Sequence, residues 1–140
     1  MPQRDPKNPK RLLHSTQTKY EFQFGYSRAV RHGTVIRVAA TAGRDENGVP
    51  LPGGIIEQAR RALEIIREAL EEMGATFADV IMTRIYVSDT SNIENVAVIH
   101  GEVFRDIRPA TSIVQVGFID ARILVEIEAE AVYGGADEIE

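Results

Sequence analysis

Three carboxylates on one side of a strand are the feature of this sequence best equipped for chemistry. In Ile123-Leu-Val-Glu-Ile-Glu-Ala-Glu-Ala-Val-Tyr133 the residues alternate. Ile123, Val125, Ile127, Ala129, Ala131 and Tyr133 point one way; Glu126, Glu128 and Glu130 point the other. Like charges along one face repel, so water, arginines, a neighbouring subunit or a ligand must neutralise or use them. Glu126 could act as a general base or position a water; its structural alternative is an ion pair with Arg84 or Arg37. Glu128 and Glu130 read as structural, either solvated or paired. No histidine or aspartate completes a metal-ligand set by spacing, so no metal is expected. Upstream lies Arg108-Pro-Ala-Thr-Ser112, in which Thr111 could offer a hydroxyl to a neutral ligand or simply fill a strand position that suits β-branching. His100 could line a cleft and titrate near neutrality, or pack as an ordinary helix residue. Tyr26 could cover a ligand or pack.

The elements that position these groups follow from hydrophobic periodicity. Strands are expected near Leu12–Thr16, over a mixed extended stretch Tyr20–Val30, and at Val35–Ala42, Asp79–Ser88, Thr111–Val116 and Ile123–Tyr133. Ile56, Ala59, Leu63, Ile66, Leu70 and Met73 recur at helical spacing, which predicts a helix over 55–73 with Gly74 as its C-terminal cap. Ser91-x-x-Glu94 reads as a capping box opening a second helix to about Arg105, ended by Pro109. The order is β-β-β-α-β-α-β-β, an α+β domain with a six-stranded mixed sheet and two amphipathic helices on one face. The uncovered face would then carry Arg37, Arg84, Glu126, Glu128 and Glu130 beside Ala39, Thr41, Met82 and Tyr86. That surface is too mixed for a core and too apolar for an ideal solvent face, so it reads as a subunit interface.

A chain of 140 residues, 44% hydrophobic and 26% charged, has the size and composition of one domain with a real core. Residues 1–11 are polar and proline-rich and are expected as a flexible N-terminal arm, with the single domain over 12–140. The net charge of −5 argues against a nucleic-acid backbone as partner. There are no cysteines, so no disulfide, thiolate catalysis or Cys-ligated zinc. No apolar h-region follows the N-terminus and no long apolar run exists, so neither a signal peptide nor a membrane span is expected, and the expected location is cytoplasmic. No P-loop, dinucleotide fingerprint or nucleophile triad is present, and no cofactor is expected.

Several short motifs, taken in order, resemble the Rid family (YjgF/YER057c/UK114, "L-PSP endoribonuclease"). They are Tyr26-Ser-Arg-Ala-Val30 with Gly33, Asp45-x-x-Gly48, Gln58, Leu70-x-x-x-Gly74-Ala-x-x-x-Asp79-Val80, Asp89, Phe104-x-x-x-x-Pro109-Ala110 and Val125-Glu-Ile-Glu-Ala129. Each is weak alone; the ordered set over about residues 20–133 is specific. The resemblance implies a chorismate-mutase-like fold, a homotrimer, and small-molecule clefts between subunits. In the best-known branch such clefts hydrolyse enamines and imines to 2-keto acids and ammonia. An arginine directly after Pro-Ala grips the substrate carboxylate there, and a glutamate of the last strand, Glu126 in this sequence, positions or activates water.

This sequence departs from that pattern. Thr111 follows Pro109-Ala110, Ala39-Ala40 replaces a Ser-Gly, Ala97 stands at the asparagine of the second helix, and His100, three residues on, replaces an aromatic. Losing the arginine removes on the order of two or three decades of affinity for an anionic substrate. The resulting expectation is a Rid-like hydrolase or deaminase for an imine- or enamine-type metabolite, divergent from the arginine-dependent 2-iminoacid deaminases. Glu126 would orient water, and Tyr26, Thr41, Thr111, Ala39, Ala97 and His100 would shape the pocket. The alternative is a non-catalytic, trimeric ligand-binding or regulatory protein; a ribonuclease fits the acidic chain least.

Overall fold

The computed structural model describes residues 2–16 and 19–134; the expected domain's residues 17–18 and 135–140 lie outside them. Its strands are β1 (Gln3–Asp5), β2 (Asn8–His14), β3 (Ala29–His32), β4 (Val35–Ala42), β5 (Val80–Val87), β6 (Ala110–Gln115) and β7 (Val125–Val132). Its helices are α1 (Lys19–Phe24), α2 (Ile55–Glu72) and α3 (Ile93–Phe104). The strands form one sheet in the order β1-β2-β3-β4-β7-β5-β6. All neighbours are antiparallel except β5 and β6, which α3 joins as the crossover a parallel pair requires.

The sheet is seven-stranded rather than six-stranded. Residues 1–11, expected as an arm, contribute β1 and the start of β2, and β2 pairs with β3 from Arg11↔His32 to His14↔Ala29. A third helix, α1, also lies where an extended segment was expected. Tyr20, Phe22 and Phe24 alternate along it and are exposed, so a period-two aromatic pattern mimics a strand. The helix is instead fixed at its ends. The buried Glu21 side chain accepts from the Thr16 hydroxyl at 2.7 Å, and Gly25, at φ 73, turns its N–H back to Glu21 O.

The core lies between the sheet and α2 with α3. Ile55, Ala59, Ala62, Leu63, Ile66, Ala69 and Leu70 of α2 pack against Ile36 and Val38 of β4 and Val125, Ile127, Ala129 and Ala131 of β7. Ile56, expected in that stripe, is exposed. Gln58 takes the buried side instead, donating to the Leu51 and Arg122 carbonyls and accepting from Leu124 N–H, each at 2.9 Å. Gly74 ends α2 as expected: its N–H bonds Glu71 O and Ala75 N–H bonds Leu70 O, with Gly74 at φ 85. The expected Ser91/Glu94 box is not formed. Asp89 caps the preceding turn by accepting from Ser91 N–H, and α3 begins at Ile93. A reciprocal capping box occurs instead between Thr76 and Asp79.

Two irregularities change which residues share a face. In β4, Val38 pairs with Ala129 but Thr41 with Ile127, so one extra residue bulges out at Ala39–Ala40. The alternation flips there, and Thr41 lies buried on the helix-covered side, not on the open face where strict alternation puts it. In β5 the register shifts between Val80 and Met82. Val80 takes the core position and Ile81, expected inside, is exposed.

Candidate functional site

The open face carries the row of glutamates, and each has different neighbours. Glu130 lies opposite Arg37 in the register, with Arg37 Nη2 at 3.5 Å. Glu128 lies opposite Arg84 at 3.7 Å and also accepts from the Tyr86 hydroxyl. That bond is the main reason the Tyr86 hydroxyl is pushed up from its ordinary range. Both carboxylates are thus paired within their own chain.

Among the described residues Glu126 has no such ion pair or hydrogen bond. It sits opposite Ala42 on β4 and Tyr86 on β5, and it is partly buried. Burial pushes its carboxyl up from the usual range, against the pull of Arg28 and Arg44. Arg28 is itself held by the bulge. Its Nη1 donates to Ala40 O at 2.7 Å and to Thr41 Oγ1 at 3.2 Å, while Thr41 Oγ1 donates to Ala39 O at 2.7 Å. Burial lowers the Arg28 guanidinium from its ordinary range; Glu21, Tyr26 and Glu126 oppose that shift. Ala39, exposed at the bulge, bonds the Arg28 carbonyl through its N–H at 2.9 Å. Tyr26, also exposed, is fixed through its backbone N–H to Glu21 O. Arg28 and Arg44 act on Glu126, and Arg28 links it to the Ala39–Ala40 bulge and to Tyr26.

Thr111 belongs to a different place. It pairs with Thr83 across β5 and β6, and Thr83 is fully buried beneath the helices. Thr83 Oγ1 lies 2.8 Å from Thr111 Oγ1 and 2.9 Å from His100 Nε2. The His100 ring packs 4.6 Å from the Phe104 ring, and burial pulls the imidazole below its ordinary range. Ala97, one turn earlier on α3, is exposed. Thr111 does not stand opposite Glu126: the two occupy opposite faces, about 10 Å apart across two strand spacings and about as far along them. No single small molecule touches both within one chain.

Sequence pattern alone does not mark Arg28 and Arg44 as site residues: Arg28 lies inside the Tyr26–Val30 motif with nothing to distinguish it from its neighbours. Thr83 is the one polar member of an otherwise apolar row, Ile81-x-Thr83-x-Ile85-x-Val87, a signal that can be read from sequence. Among the described residues no group of three or more His, Asp or Glu stands close enough to hold a metal, and no helix is long and apolar enough to cross a membrane.

A mixed sheet backed by two long helices, with a charged open face, defines an α+β domain of the chorismate-mutase-like type. The family described as Endoribonuclease L-PSP matches residues 17–133, and the chain belongs to this Rid (YjgF/UK114) family. A Mycobacterium tuberculosis member of the YjgF/YER057c/UK114 family superposes with a TM-score of 0.79 at 44% identity, covering 87% of this chain and 98% of its own. A putative endoribonuclease from Thermotoga maritima gives a TM-score of 0.77 at 29% identity, covering 88% and 93%. The chain is also 34% identical to the 2-iminobutanoate/2-iminopropanoate deaminase of Mus musculus, over 78% of this chain and 82% of that protein.

Proposed function

We propose that this protein is a hydrolase or deaminase for an imine- or enamine-type metabolite, working in clefts between the subunits of a homotrimer without the arginine clamp of related deaminases. The observation that carries this reading is the isolation of Glu126. Of the three glutamates on the open face, it alone has no ion pair or hydrogen bond among the described residues, and it is partly buried with its carboxyl pushed up. A carboxylate so placed can hold a water and take its proton as the oxygen adds to the C=N carbon. The water oxygen becomes the product carbonyl and the nitrogen leaves as ammonia after gaining protons. Likeness to a protein named as a 2-imino acid deaminase supports the reaction class. The opposite-face placement of Glu126 and Thr111 supports a cleft completed by a second copy, because one subunit cannot present both to one ligand.

The test is keto-acid release from 2-aminoacrylate, or a bulkier imine, generated in situ. Wild type should exceed the blank and Glu126→Gln should not; no acceleration by wild type sinks imine deamination. Native mass should give a trimer, and a monomer would remove the cleft. A second reading, a trimeric ligand-binding or regulatory protein, is favoured by Thr111 in the arginine's place; ligand binding without turnover would select it. The family's ribonuclease label has least support from the acidic chain, and an uncleaved mixed RNA pool would dispose of it.

A further inference from the structure

Thr83 is a buried polar residue that the chemistry of Glu126 does not use. Its hydroxyl lies between His100 Nε2 at 2.9 Å and Thr111 Oγ1 at 2.8 Å, and Thr111 Oγ1 donates to Pro109 O at 3.1 Å. A threonine hydroxyl has one proton to give, and a carbonyl can only accept. The Thr111 proton therefore goes to Pro109. Thr111 must then accept from Thr83, and Thr83, its proton used, must accept from His100. This count places the His100 proton on Nε2. The three groups form a one-way chain of donors that starts at an imidazole beside Phe104 and ends at an exposed hydroxyl on the edge strand.

We infer that Thr111, oriented through Thr83 by His100, is a hydrogen-bond donor for a neutral acceptor, the carbonyl of an amide, ester or urea, at the place where related proteins are expected to grip a carboxylate. The inference rests on the proposed cleft in that Thr111 must face its ligand. The proton of Thr111 is turned to Pro109 O; a ligand carbonyl would take over that proton, and the Pro109 carbonyl at the sheet edge would turn to water. His100 and Thr83 supply orientation, and burial pulls the ring below its ordinary range, toward its neutral form. Among the described residues no arginine or lysine bonds to any of the three. From these three groups an anion receives one hydroxyl and no counter-charge, while a neutral carbonyl loses little by leaving water for a fixed donor.

The experiment titrates the intact protein with pyruvamide and with pyruvate by NMR, alongside the imidazole nitrogen shifts of His100. The amide should bind about tenfold or more tightly than the anion, as one well-placed bond without a cation predicts. Thr111→Val should reduce amide affinity about tenfold and narrow the gap between amide and pyruvate. Thr111→Arg should reverse the preference. His100→Gln, which keeps an amide N–H donor, should retain amide binding, whereas His100→Phe should lose it to the same extent as Thr111→Val. A merely structural His100 would fail that split. Circular dichroism and native mass should show each variant folded and assembled. Pyruvate binding as tightly as the amide, failure of both to bind, or a His100 proton on Nδ1 overturns the assignment. The readout is affinity, so loss of the hydrolase reading through absent turnover registers separately.

Discussion

Glu126 and Glu130 share one strand, one face and one side chain, and the fold gives them opposite surroundings. Glu130 meets Arg37 directly across the ladder, as alternation alone would arrange. At Glu126 the facing position is Ala42, because the Ala39–Ala40 bulge shifts the frame of β4 by one residue. Unshifted, β4 would turn a different side chain toward Glu126 and leave Arg28 without the Ala40 carbonyl that holds it. Identical residues of one row thus meet different neighbours, and one irregularity on the adjoining strand sets what faces Glu126.

The widest separation between the two should appear in turnover. Glu126→Gln keeps the volume and removes the base, so kcat should fall by roughly 10²- to 10⁴-fold. Glu130→Gln should keep most of the wild-type rate. Equal losses from both would mean that the row acts as one electrostatic unit, and the distinction drawn above would collapse. Arg28→Met sharpens the comparison from the other side. It removes the first of the cations opposing burial at Glu126, so the acid limb of the kcat/KM profile should move to higher pH. It also leaves the Ala40 carbonyl with one partner fewer, which should cost on the order of 1–3 kcal/mol in urea unfolding. An acid limb that stays in place would show that Arg28 does not sense Glu126.

Much of this arrangement is legible in the sequence, and the reasons for the rest are local. Period-two and helical patterns locate β4, β5, β7, α2 and α3, because burying one face imposes that spacing. The arginines facing Glu128 and Glu130 follow from the same alternation. Composition hides β1 and the start of β2: a polar, proline-bearing segment pairs at a sheet edge, where backbone hydrogen bonds suffice and little apolar burial is needed. The helix α1 is hidden because its aromatics alternate. Thr41 and Ile81 are misplaced by bulges, which have no strong sequence mark when the extra residue is alanine or isoleucine rather than glycine. The pairing of Thr111 with Thr83 depends on the register of a parallel crossover, which strand pattern does not fix; hence the site reads from sequence as one cluster and folds as two.

The pH dependence of stability gives a smaller and signed contrast. The folded-state carboxyl of Glu126 is raised above its ordinary value of 4.5, so the folded state holds that proton to higher pH than the unfolded chain. Below 4.5 both states are protonated and no penalty exists. As pH rises from there through the raised folded value, ionisation costs the native state more than the unfolded one, and stability falls. Urea midpoints followed across this window should decline in wild type relative to Glu126→Gln. A wild-type midpoint that gains on the variant as pH rises would mean that Arg28 and Arg44 outweigh burial.

The smallest effect is expected at the paired end of the row. Arg37 is largely exposed, so its 3.5 Å contact with Glu130 sits in water, where an ion pair contributes little. A double-mutant cycle of Arg37→Ala and Glu130→Ala should give a coupling of about 0.2–1 kcal/mol, fading in high salt. A coupling that survives salt would place the pair in a drier environment than one chain provides, as a subunit seam across the open face would create. The same cycle therefore measures whether the paired glutamates are screened by water or by another copy of the chain. Repeated on protein whose assembly has been read by native mass, it separates a surface ion pair from an interfacial one.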